Sequence, residues 1–321
     1  MNDDLTNIRG RFAPSPTGRM HLGNVFSALL SWLSAKSKGG EWLLRIEDID
    51  PARSRQEYAD QLMRDLEWLG LTWDGVPVYQ SQRGDIYEHY FNLLREKGMT
   101  YPCYCTRNDI LATQAPHESD GRIVYKGTCR PGPDNALLMR KGPAATRLIV
   151  PDEEIIYTDG HYGVQGVNLA THVGDFIIRR KDGAWAYQLA VVIDDALMGV
   201  SEVVRGRDLL LSAAQQIYVA TQLDFPSPQF IHLPLLINAD GQRLSKRDAA
   251  LDMGCLRTTH TAEDIIGLLA YRANLQPTPA PVSPEALLPL FDWDKVPGRD
   301  VMVESSLLSK ASLRAERKDE S

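Results

Sequence analysis

The chain has no long apolar run. No stretch in its 321 residues approaches the ~20 apolar positions that a membrane-spanning helix needs, which argues against a helical membrane protein. The N-terminal MNDDLTNIRG is polar and acidic and lacks the apolar centre of a secretory signal. Cysteine is scarce, with four residues in all, too few for a disulfide scaffold. These absences predict a cytoplasmic protein. A basic excess is absent too: 35 Lys and Arg stand against 42 Asp and Glu, for a net charge of −7. A wholly cationic surface is excluded, although a local basic groove on an acidic body is not. No internal repeat is present, which excludes a solenoid.

What remains is an ordinary globular composition, 43% hydrophobic and 24% charged. At roughly 150 residues per domain, the length suits about two domains. Residues 8–14 read as a buried strand entering a turn. Leu22, Val25, Phe26, Leu29, Leu30 and Leu33 then follow helical spacing, ended by Gly39 and Gly40. EWLLRIEDID (41–50) reads as a strand running into an acidic loop. Ser54 and Glu57 form a capping-box pattern ahead of a helix marked by Tyr58, Leu62, Leu66 and Leu69. A further helix is predicted over 83–97. This alternation favours a doubly wound, Rossmann-type parallel sheet in an α/β fold.

Between 99 and 165 the helical period disappears and Gly, Pro, Asp and Thr become frequent, as in an inserted unit. The α/β pattern then returns. AYQLAVVIDDALMGVSEVVRGRDLL reads as two strand-like runs, Ser212 with Gln215 as a helix cap, and QFIHLPLLIN (229–238) as a buried strand. Thr261 caps a helix beginning AEDIIGLLAYR, and QPTPAPVSPEALLPLF reads as a linker or brace. The predicted division is therefore 1–98 and 166–250 for two halves of a nucleotide-binding domain, 99–165 for the insertion and 251–321 for a short helical region.

Two stretches carry phosphate chemistry. In RFAPSPTGRMHLGN (11–24), prolines stiffen the approach, Gly18 and Gly23 allow close backbone passage, and His21 falls at the start of a helix. Unpaired N–H groups and the helix dipole favour an anion there. Alone, the stretch also fits a plain strand-to-helix turn. RLSKR (243–247) places Lys246 and two arginines in a loop after a buried strand. Three cysteines, Cys103, Cys105 and Cys129, lie within 27 positions, which in a reducing compartment points to metal before disulfide. Zinc takes four ligands, so one more is needed, and His117 is the orthodox candidate. The isolated Cys255 reads as a small core residue.

APSPTGRMHLGN resembles the first signature of class I aminoacyl-tRNA synthetases, and RLSKR resembles the second. RFAPSPTG, RIEDIDPARS and VRGRDLL are similar to the glutamate-specific branch. Two positions depart from the pattern: Asn24 replaces the second histidine of the first signature, and Arg243 the first lysine of the second. Asn24 can still hydrogen-bond and Arg243 is still cationic, so altered rates are expected and not lost chemistry. Between Arg247 and Ser321 there is room for a short helical brace but not for a further anticodon-binding domain. The chain in this respect resembles the glutamyl-Q tRNA(Asp) synthetase family, which keeps the catalytic core without that domain.

The resemblance implies adenylate formation from glutamate and ATP, with Mg²⁺ accompanying the ATP, followed by glutamyl transfer to queuosine in the anticodon stem-loop of tRNA(Asp) by a monomeric enzyme. It assigns glutamate binding to Arg11, Ala13, Ser15, Glu47, Tyr187 and Arg205. It assigns ATP binding to His21, Gly23, Asn24 and Lys246, with His21 and Lys246 meeting the charge of the transition state. It assigns structural Zn²⁺ to Cys103, Cys105, Tyr125 and Cys129, favouring the tyrosine over His117.

Overall fold

The computed structural model describes residues 8–106, 108, 124–131, 142–244 and 251–303. Its first part runs β1 (Arg9–Phe12), α1 (Leu22–Lys36), β2 (Glu41–Ile46), α2 (Gln56–Trp68), β3 (Asp74–Tyr79) and α3 (Gly84–Glu96). Five strands follow: β4 (Thr100–Cys103), β5 (Ala145–Leu148), β6 (Glu154–Asp159), β7 (Gly163–Asn168) and β8 (Phe176–Arg179). Next come α4 (Tyr187–Leu197), β9 (Glu202–Gly206), α5 (Leu210–Gln222), β10 (Gln229–Leu233) and β11 (Leu236–Ile237). The C-terminal part holds α6 (Met253–Thr259), α7 (Ala262–Arg272) and β12 (Val301–Met302). Among the described residues no helix is long and apolar enough to cross a membrane.

Strands β1, β2 and β3 pair in parallel, as do β9 and β10. The two groups meet where the Ser201 N–H donates to the Arg9 carbonyl (3.0 Å) and the Arg9 N–H to Ser201 Oγ (2.9 Å), which sets β9 beside β1. Across the molecule the order is β3-β2-β1-β9-β10. Its direction of progression reverses between β1 and β9. A crevice beyond the carboxyl ends of strands at such a reversal is where α/β sheets bind ligands.

Helix α1 lies over this junction because its apolar residues recur at helical spacing: Leu22, Val25, Phe26, Leu29, Leu30 and Leu33 are all buried. Each such side chain contributes about 1.5–3 kcal/mol on burial. The C-terminal part packs on the same core through Ile265, Ile266, Leu269 and Leu287. Its β12 pairs in parallel with β11, so this region is not wholly helical. A second core gathers α3, α4, α5 and β8 around Tyr87, Leu189, Ile193 and Val219.

Several local expectations are corrected. The first strand-like run of 186–206 is helix α4: a short, wholly buried apolar run satisfies either period, and here packing on α3 and α5 selects the helix. Strand β3 was not expected, because DGVPVY carries Gly and Pro and pairs only at the sheet edge. Ser54 does not cap α2. The cap is Arg55, without a side-chain bond, and Ser54 Oγ is buried with no hydrogen-bond partner among the described residues. Ser212 and Gln215 lie inside α5, where Ser212 Oγ accepts from Gln188 Nε2 (3.2 Å). Cys255 is exposed and not a core residue. The antiparallel sheet β4-β5-β8 takes its third strand from beyond residue 165.

Candidate active site

The turn after β1 is held by the strand beside it. The Glu47 N–H, just past β2, donates to the Pro14 carbonyl (2.9 Å), and the Arg55 N–H to the Pro16 carbonyl (3.0 Å). His21 is the N-cap of α1: its Nδ1 accepts the Gly23 N–H (3.1 Å), and Asn24 Oδ1 accepts the His21 N–H (3.0 Å). With Nδ1 accepting, the proton of the neutral ring sits on Nε2. Gly23 leaves room for this fold-back, since a Cβ there would stand 3.0 Å from His21 Cε1 and press on the ring.

Beyond the turn opens a cavity of about 490 Å³, lined by Arg11, Ala13, Ser15, His21, Asn24, Glu47, Tyr187 and Arg205 among others. All six residues predicted to bind glutamate thus face one space, beside two of the four predicted to bind ATP. Gly23 lines an adjoining cleft of about 100 Å³ with His21, Asn24, Asp208 and Arg243. The main cavity presents Arg11, Arg19, Arg205 and Arg243 against Glu47 and Asp208, a balance that favours anions.

A buried charge network forms its floor. Arg45, fully enclosed, reaches Asp195 Oδ1 (2.6 Å) and Glu47 Oε1 (3.2 Å). Arg11 Nε lies 3.5 Å from Asp195 Oδ1 and makes no hydrogen bond among the described residues. Burial pushes the Glu47 carboxyl above its usual range, outweighing the pull of Arg45 and Arg11. Burial also opposes ionisation of Asp195, but there Arg45 and Arg11 prevail and hold it below the ordinary carboxylate range. Neither Arg45 nor Asp195 was expected. Arg45 precedes Glu47 by two positions, and the alternation of a strand could have placed them on one face.

Arg205, on β9, is buried and held on three sides. Its Nε donates to His232 Nε2 (3.1 Å), Nη1 to Gln216 Oε1 (2.7 Å) and Nη2 to the Leu209 carbonyl (3.3 Å). It does not pair with Asp208, which holds Arg243 instead. Tyr187 is the first residue of α4.

The second basic motif is described only in part. Lys246 lies outside the described residues. On its N-terminal side Arg243 lines the cavity. On its C-terminal side Asp252 bridges to His21, and the Met253 N–H donates to the Met20 carbonyl (2.9 Å). Both described flanks of 245–250 therefore stand at the His21 turn.

At a separate place, the Sγ atoms of Cys103, Cys105 and Cys129 lie within 4.8 Å of one another. Cys105 and Cys129 are 3.5 Å apart, and Cys103 Sγ is 3.5 Å from the Tyr125 hydroxyl. Tetrahedral zinc with Zn–S bonds of about 2.3 Å needs sulfurs roughly 3.8 Å apart, so the cluster fits such an ion. The Tyr125 hydroxyl also accepts the Cys129 N–H (2.7 Å), and Arg147 stacks 3.6 Å from the Tyr125 ring centre. His117 lies outside the described residues.

The family of tRNA synthetases class I (E and Q), catalytic domain, matches residues 7–260. The glutamyl-Q tRNA(Asp) synthetase of Symbiobacterium thermophilum is 44% identical over 318 residues, covering 94% of this chain and 98% of that protein. The protein of the same name from Nitratidesulfovibrio vulgaris is 41% identical with the same coverage. Among solved structures, the glutamate tRNA ligase of Elizabethkingia meningosepticum in complex with its amino acid superposes with a TM-score of 0.79 at 28% identity, covering 98% of this chain and 69% of that one. Sequence, fold and cavity thus agree, and the chain belongs to the glutamyl-Q tRNA(Asp) synthetase family, a branch of the class I aminoacyl-tRNA synthetase-like ligases.

Proposed function

We propose that this enzyme activates glutamate with ATP and transfers the glutamyl group to queuosine in the anticodon of tRNA(Asp), in the cytoplasm. The observation that carries the reading is the single cavity in which Arg11, Glu47, Tyr187 and Arg205 meet the His21 turn. Glutamate has two carboxylates and one ammonium. Arg11 and Arg205 supply guanidiniums for the former, and Glu47 an acceptor for the latter. Ala13, Ser15 and Tyr187 close the space around it.

In the first step the α-carboxylate attacks the α-phosphorus of ATP, a P–O bond forms, and pyrophosphate leaves. Negative charge builds on the phosphate oxygens. His21 donates from Nε2, and Gly23, Asn24 and the start of α1 line the same side. Lys246 brings a second cation from the 243–247 motif. Such pre-set donors are each worth about 3–4 kcal/mol of barrier. Mg²⁺ carried in with ATP would share its phosphate charge. In the second step a hydroxyl of the queuosine diol attacks the glutamyl carbonyl, and AMP leaves. An anticodon loop suits this, since its unstacked bases can be splayed into a pocket.

Cys103, Cys105, Tyr125 and Cys129 would hold a structural Zn²⁺, tying β4 to the segment around residue 129. The ion would supply cross-linking and no chemistry to the reaction.

The test is incubation of the enzyme with labelled glutamate, ATP and total bacterial tRNA, followed by nuclease digestion. Label on an anticodon fragment of tRNA(Asp) is expected. Label at the 3′ end would instead identify a short glutamyl-tRNA synthetase. No ATP–pyrophosphate exchange with glutamate would mean an inert RNA-binding module.

A further inference from the structure

We infer that His232, clamped by Asp159, is a positioning residue that aims Arg205 at a substrate carboxylate; this rests on the proposed role of Arg205 in binding glutamate. His232 is Arg205's register partner on the neighbouring parallel strand, β10, and is completely buried. Its ring connects two charged groups. Arg205 Nε lies 3.1 Å from His232 Nε2, and Asp159 Oδ2 lies 2.6 Å from His232 Nδ1.

The protonation pattern follows from donor chemistry alone. A guanidinium can only donate, so Nε2 of His232 must accept. The ring's one proton is then on Nδ1 and is donated to Asp159. His232 is neutral, and a second proton on Nε2 would both remove the acceptor and set two cations face to face. Asp159 is itself fixed by the N–H groups of His161 (3.0 Å) and Tyr162 (2.9 Å), and its β6 strand joins a hairpin with β7 rather than the parallel sheet. The inserted strands thereby reach the substrate cavity through one imidazole.

The consequence is a count of donors. Arg205 has five N–H groups. Nε is given to His232, one N–H of Nη1 to Gln216 and one of Nη2 to Leu209. Two remain, one on each terminal nitrogen, and a carboxylate has two oxygens to receive them. Gln216 is in turn fixed by Gln188 (2.9 Å), so the plane of the fork is set before any ligand arrives. Removing the His232 acceptor frees the guanidinium to rotate about its Nε side.

ATP–pyrophosphate exchange by the full chain, at varied glutamate and at varied ATP, tests this with His232→Phe and His232→Gln. His232→Phe should raise the glutamate KM roughly 10- to 100-fold, with kcat and the ATP KM little changed, as for a misaimed binding group. His232→Gln, whose Oε1 can accept from Arg205 Nε, should restore most of the affinity. ¹⁵N spectra of the wild-type histidine rings at neutral pH should show His232 as the Nδ1–H tautomer. A wild-type glutamate KM in His232→Phe, or equal losses for glutamate and ATP, overturns the proposal, as does an Nε2–H or cationic ring. Should His232→Phe not fold, the ring tautomer and the His232→Gln KM decide between these outcomes. If the wild-type protein shows no glutamate-dependent exchange, the reading of Arg205 itself fails and takes this inference with it, while a correct tautomer would still mark the clamp as real.

Discussion

Asn24 Oδ1 accepts the backbone N–H of His21 while the His21 ring accepts the N–H of Gly23, so the two residues cap α1 reciprocally. Asn24 stands where the class I signature has its second histidine, and the short amide reaches the cap directly. Asn24→Ala should cost about 1 kcal/mol of stability and slow exchange by loosening the His21 ring. Thermal melts and pyrophosphate exchange check this; an unchanged melting temperature together with unchanged exchange would show the cap to be idle.

Arg45 should be the most sensitive residue of the floor. Arg45→Met leaves Asp195 and Glu47 buried without their main counter-charge, a change that typically costs 3–5 kcal/mol. Urea unfolding should report it. Arg45→Lys should rescue only in part, since one ammonium cannot present the two-pronged contact.

Acid should weaken glutamate binding early. Burial raises the Glu47 pKa, so this carboxyl gains its proton at a higher pH than an exposed glutamate and loses its attraction for the substrate ammonium there. The glutamate KM is expected to climb as pH falls, beginning above the usual carboxylate range, while Glu47→Gln shows a high KM without that limb. For folding the sign is opposite. A raised native pKa contributes stability that is complete below the unfolded value and is lost as pH rises through the native one.

Metal analysis should find one zinc per chain, abolished in Cys103→Ser and retained in Cys255→Ser, whose cysteine is exposed and not part of the cluster. Chelation should lower the melting temperature by several degrees, as loss of a cross-link does. A metal-free protein of undiminished stability would remove zinc from the account.

Local signals explain most of what was legible. The stop at Gly39 and the Thr261 cap are read from neighbours in sequence, and each rests on a positive φ or a side-chain bond spanning three residues. Helix α4 reads as a strand because burial of every residue over Leu189–Asp195 erases the helical period. Strand β3 was missed because an edge strand is selected by its partner β2 and not by its own residues. The Ser54 and Ser212 patterns mimic caps, yet the helices begin elsewhere, since tertiary contacts place a helix start more strongly than one hydroxyl can.

The residue order alone determined the strand–turn–helix around His21, the alternation that makes an α/β fold and the family to which the chain belongs. These depend on spacing over a few positions and on motifs that survive as strings. Only the tertiary structure decided that Arg45 supports the cavity floor while Arg11 and Arg205 face the cavity, and that His232 meets both Asp159 and Arg205. Those pairings join residues 27 to 150 positions apart, on strands and on helix α4, and are set by sheet pairing and burial. A charge becomes a ligand contact or a buried strut according to what encloses it, and that enclosure exists only in the folded chain.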